Sequence, residues 1–144
     1  MRIDNELVLA EGWASSVWGN AGTYYGEKII DQTKTKTQTG KPMFLVVKMS
    51  EAAATGTSLN FELVGSTAPW TAAAGTGGTF TVIGQSGAIL TAALLNNTRV
   101  WVFRLPETIS QRYLGLAVVS VESSDFTTGK IDAYLTDEPP LAAY

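Results

Sequence analysis

The stretch "TSLNFELVG" (Thr57 to Gly65) places Leu59, Phe61 and Leu63 on one side of an extended chain and Ser58, Asn60 and Glu62 on the other. This period of two belongs to a strand with one face in a core and one in water. Working outward, "GKIDAYLTD" (Gly129 to Asp137) alternates Ile131, Ala133 and Leu135 with Lys130, Asp132 and Tyr134. "GTFTVIG" (Gly78 to Gly84) predicts Phe80 and Val82 inward against Thr79 and Thr81. Two further stretches, "PMFLVVKM" (Pro42 to Met49) and "YLGLAVVSV" (Tyr113 to Val121), are apolar on both faces. Short and rich in β-branched residues, they read as central strands covered on both sides, once by the core and once by a partner.

Gly, Ser, Thr, Asn and Pro separate these runs. "SGAILTAALLNN" (Ser86 to Asn97) is the one plausible helical segment, and it is short. "ESSDFTTG" (Glu122 to Gly129) reads as a turn, since it lacks the alternating acids of a calcium loop. "RLPETISQRYL" (Arg104 to Leu114) joins two strands, with Pro106 ending the ladder and Arg99, Arg104 and Arg112 keeping their charges in water at strand ends. About eight strands at short spacing predict an all-β fold, a two-sheet antiparallel sandwich of jelly-roll type. Its predicted core includes Leu59, Phe61, Leu63, Val102, Leu114, Leu116, Ile131 and Leu135. No repeat or linker divides residues 1–144, which form a single domain with the segment 1–13 and the polar arm 31–41 as extensions.

The 144 residues include no Cys and no His, so thiol or imidazole chemistry and a Ser-His-Asp triad are excluded. Carboxylates are scattered: Glu62 and Asp132 read as members of solvated strand faces, and Glu107 lies in the link after Pro106. No catalytic, metal or cofactor site is expected. With ten basic against thirteen acidic residues, a nucleic-acid partner is not expected either. "GTGG" (Gly75 to Gly78) precedes a strand and not a helix, so it is not a phosphate loop. The charged start "MRIDNELVLAEG" does not read as a signal peptide, and no apolar run approaches the ~20 residues of a membrane helix. The chain is expected to be made in the cytosol, with no membrane partner.

Four tryptophans on a β-sandwich suggest a carbohydrate platform. Trp101, alternating with Phe103, reads as core, which leaves Trp70, after Pro69 in a Gly/Ala-rich loop, as the best exposed aromatic.

The order "KIIDQ", "TGKPMFLVVKM", "TSLNFELVGST", "FRLPETISQRYLGLAVVSV" and "FTTGKIDAYLTDEP" resembles the capsid cement (decoration) proteins of tailed double-stranded DNA bacteriophages, the short-tailed phages in particular. The likeness spans nearly the whole chain. "GKPMFLVV" and the "RLP…RYLGL" pair are its most specific parts, while the start "EGWASSVWGNAGTYYGE" departs from the pattern. The resemblance implies a jelly roll, made in the host cytoplasm, that docks on the outside of the virion. It implies the major capsid protein as partner, often with a homodimer at capsid two-fold positions, and no catalytic residues. Trp13 and Trp70 are then expected as packing contacts, with Lys34 and Lys36 meeting acidic coat surface. A carbohydrate-binding β-sandwich module is the alternative.

Overall fold

The alternation in Thr57 to Gly65 becomes one of nine strands among the described residues. A computed structural model describes residues 7–26, 28–32, 42–71, 79–106 and 108–137. The strands are β1 (Val8–Ala14), β2 (Asn20–Tyr25), β3 (Ile30–Asp31), β4 (Phe44–Ala54), β5 (Ser58–Ser66), β6 (Phe80–Leu90), β7 (Thr98–Arg104), β8 (Tyr113–Asp125) and β9 (Thr128–Thr136). A single helical turn, α1 (Ser15–Trp18), links β1 to β2, and a 3-10 turn, Thr91–Ala93, follows β6.

One sheet has the order β1-β9-β4-β7 and the other β2-β8-β5-β6, with β3 on the far part of β8. The pairings are antiparallel throughout. The connections after β1, β4, β6 and β8 each cross from one sheet to the other. That winding is a jelly roll, so the sandwich read from the sequence is the fold.

Inward faces meet as the period of two requires. Leu59, Phe61, Leu63, Leu114, Leu116, Ile131 and Leu135 are all buried in one cluster with Leu45, Val47 and Met49. Val102 is the exception. It stands opposite Val46 on the outer face of its sheet and is half-buried, while its neighbours Trp101 and Phe103 turn inward. Phe103 packs against Gly84 of β6, where a Cβ would lie 2.4 Å from its ring.

Several expectations need correcting. Phe80 and Val82 face outward, because Val64, an outward residue of β5, pairs with Val82, and the register shifts beside it. Ser86 to Leu90 belongs to β6, so only Thr91–Ala93 turns helically. Glu122 to Asp125 extends β8, which leaves Phe126 and Thr127 as the turn. The segment 1–13 is not a free extension: from Val8 onward it is the edge strand β1, with Leu9 fully buried. The second cover of β8 comes from this chain, as Trp70, Phe80 and Tyr25 close over Ala117 and Val64. Arg112 does more than keep its charge in water. Its Nε and Nη2 donate to the two carboxylate oxygens of Asp31 at 3.1 Å each, clamping β3 to the start of β8.

The connections after β1, β4, β6 and β8 lie at one end of the sandwich and are laced together. Phe126 N donates to Gly19 O, Thr127 N to Ala54 O, Ala53 N to Leu94 O and Thr91 N to Thr57 O. The Thr91 hydroxyl adds a 2.6 Å bond to Gly56 O. Thr55, a β-branched residue at φ 71°, costs on the order of 1–2 kcal/mol in backbone strain. Its hydroxyl accepts Thr127 N and lies 3.0 Å from the Thr127 hydroxyl, joining two of the connections.

Candidate functional site

The four residues expected to make contacts have different fates. Lys34 and Lys36 lie outside the described residues, as does Glu107. Trp70, expected as an exposed loop aromatic, is 2% exposed. Its indole lies over Gly115 of β8, where a Cβ would come within 2.2 Å of the ring. Its Nε1 donates to Gly26 O at 2.6 Å, and its ring meets Phe80 edge-on at 4.9 Å. Phe80 in turn stacks on Tyr25 at 3.9 Å. The absent side chain at Gly115 makes a slot that the indole fills, so Trp70 belongs to the fold, and the sugar-platform reading loses its best ring.

Trp13 is half-buried at the rim of an open groove. The local sequence explains its placement. In "AEGWA", Gly12 takes φ 58°, which glycine adopts without steric cost, and the register shifts between Ala10 and Trp13. The resulting β-bulge re-aims the next side chain. It is pinned from β9, where Asp132 Oδ1 accepts Gly12 N at 2.7 Å. The Trp13 carbonyl accepts Trp18 Nε1 at 2.7 Å, and Trp18 is itself buried against Phe126. Backbone and bulge are thus fixed while the indole keeps one side accessible.

The groove, about 350 Å³, runs where the β1 edge of one sheet faces the end of β2 in the other. Leu9, Ala10, Ala14 and Gly26 line it, and Val17 at its rim is 40% exposed. Lys28 Nζ lies 3.4 Å from Glu11 Oε2 across it. Both side chains are more than half exposed, so this pair contributes at most ~1 kcal/mol. Apolar walls, one accessible indole and an ion pair at the mouth suit an apolar side chain of another protein.

A second cavity of about 320 Å³ lies on the outer face of the first sheet, beside Lys48, Asp132 and Tyr134. Asp132 stands opposite Lys48 across the strands and already serves the Gly12 bulge. Glu62 is on the outer face of the other sheet, with the core between the two carboxylates. These two acids therefore cannot flank one bond. Burial pushes the Glu62 carboxyl above its ordinary value. Tyr25 is raised as well, first by burial and then by the Glu62 charge. Among the described residues, no group of three or more acids is placed to hold a metal ion.

Sequence reasoning singled out Trp13 but not the groove beside it. The signal was there in Gly12 before the indole and Trp18 five residues after it. Set against known proteins, the chain matches no family model and no curated protein.

Proposed function

We propose that this chain is a structural virion protein that binds the outside of a tailed-phage capsid and ties neighbouring coat-protein capsomers together against the pressure of packed DNA. Its partner is the major capsid protein, with a homodimer at two-fold positions as the docked form. The reading rests on one observation. Segments of the cement-protein resemblance fall in order on consecutive parts of a single jelly roll: "KIIDQ" on β3, "PMFLVVKM" leading into β4, "TSLNFELVGST" on β5, "RLP…RYLGL" from β7 to β8, and "TTGKIDAYLT" on β9.

The binding physics suits the role. A contact through the Trp13 groove is small, and small contacts are weak. Two of them engaged at once on a lattice raise avidity about 10²–10⁴-fold, because the second contact is intramolecular. Many copies then hold capsomers that no single copy could.

The test is co-sedimentation of the purified chain with DNA-filled heads of the phage that encodes it. Saturable binding at a fixed ratio to coat protein is expected, and Trp13→Ala should weaken it by about 2 kcal/mol, the scale of an interface hot spot. A chain that stays in the supernatant, or that is retarded in a polysaccharide gel and not by heads, overturns the proposal.

A further inference from the structure

The connections that cross between sheets at one end of the sandwich are Ser15–Gly19, Thr55–Thr57, Thr91–Asn97 and Phe126–Thr127. Not one Asp, Glu, Lys or Arg occurs in them, although the chain has ten basic and thirteen acidic residues. The opposite end differs: Arg112 lies in the connection from β7 to β8 and Asp137 just past β9, with Asp31 and Arg104 on adjoining strands. Among the described residues, the large aliphatic side chains most open to water are Leu90 at 64%, Leu95 at 55%, Val82 at 50% and Val17 at 40%. All but Val82 are at the uncharged end, together with exposed Ala92 and Ala93. The ionic residues nearest this end ring it: Glu51 and Lys130 opposite each other on the first sheet, Arg99 near the start of β7, and Asp125 at the last position of β8, as a polar rim does around an apolar centre.

We propose that this uncharged end is the face that docks, and that it docks on a neutral, apolar patch repeated over the coat-protein shell. The assignment rests on the capsid reading above and names the surface used.

Charge selects the partner. A charged group buried against this end would lose its water and find no counter-charge, so the partner patch must be neutral. Phosphate has no cation to meet here, which excludes a nucleic-acid backbone. Trp18 and Phe126 are buried beneath the loops, so they present no ring on which a sugar could stack. What the end offers is Leu, Val and Ala beside the amides and hydroxyls of Asn96, Asn97, Thr57 and Thr127. The lacing hydrogen bonds hold the loops in place before contact, so little chain entropy is lost on docking.

Size selects a lattice over a free partner. Four strands ~4.8 Å apart in two sheets ~10 Å apart make an end of roughly 20 by 20 Å, about half the ~800 Å² per partner of a stable interface. Such a contact holds only when repeated or joined to another. Val17 supplies the join, since it belongs both to this end and to the rim of the Trp13 groove.

The experiment measures binding of wild type, Leu95→Asp, Leu90→Asp and Arg104→Ser to heads stripped of the chain, at 0.1 and 1 M NaCl, with the Tm of each variant recorded. Each leucine variant should keep the wild-type Tm and bind at least tenfold more weakly. Arg104→Ser, at the opposite end, should bind as wild type does. Wild-type binding should not fall in 1 M salt. A folded Leu95→Asp and a folded Leu90→Asp that both bind normally, or a tenfold loss of wild-type binding in high salt, overturn the docking face and leave the capsid reading standing. Wild type that fails to bind heads at all overturns both. Flotation of wild type with phosphatidylcholine vesicles would assign the end to a lipid surface instead. Sedimentation-detected self-association that Leu95→Asp abolishes would assign it to a second copy. Either result overturns the proposal.

Discussion

Replacing Trp70 with alanine tests whether the covered outer face of β8 is part of the fold. The indole is 2% exposed, fills the slot over Gly115 and donates a 2.6 Å hydrogen bond to Gly26 O. Truncation of a buried tryptophan costs about 3–5 kcal/mol, through lost transfer energy and the cavity left behind. The bereft Gly26 carbonyl places this case toward the upper part of that range. At roughly 3 °C per kcal/mol for a domain of this size, Tm should fall by about 10–15 °C. Trp70→Phe keeps most of the ring and loses the donor, so it should cost about 1–2 kcal/mol. A double-mutant cycle sharpens the reasoning. Gly115→Ala alone drives its Cβ into the indole and should cost about 1–3 kcal/mol by overpacking. In the Trp70→Ala background the added methyl meets empty space, and the cost should vanish. The assay is urea unfolding followed by circular dichroism, which does not depend on the tryptophan removed. A Trp70→Ala protein within 1 kcal/mol of wild type, or strictly additive effects in the cycle, would refute the packed slot.

Two other perturbations test separate parts of the fold. Because the Glu62 carboxyl is raised by burial, the folded chain holds that proton more tightly than the unfolded one. Its contribution is therefore complete below the ordinary carboxylate value and is lost as pH rises through the raised one. Glu62→Gln should raise Tm at pH 7, with the gain shrinking toward pH 4; a gain that grows as pH falls would show the opposite shift. Gly56→Ala places a Cβ 2.4 Å from the Phe126 ring, which is already packed against Trp18, so it should lower stability by about 1–3 kcal/mol in a thermal melt. No change would mean that the laced end is loose.

Local pattern was enough wherever one strand face meets the core. Leu59, Phe61 and Leu63 could be placed from their spacing, because a strand turns alternate residues to opposite sides whatever it pairs with. Ile131, Ala133 and Leu135 followed for the same reason, and turn residues between such runs implied a sandwich. The missing Cys and His exclude whole classes of chemistry by composition alone. Other features depended on partners far along the chain. Val82 faces outward because a bulge shifts the β6 register against β5, and spacing within β6 cannot reveal an irregularity defined by another strand. Trp70 looks exposed among glycines and alanines until Gly115, 45 residues later, supplies the slot and Gly26, 44 residues earlier, the acceptor. The uncharged end is spread over four short segments, each unremarkable alone, and it becomes one surface only when the jelly roll winds every second connection to the same side. Spacing settles the orientation of a side chain within its own strand, whereas burial and surface character are set by contacts among distant residues, which only the tertiary structure brings together.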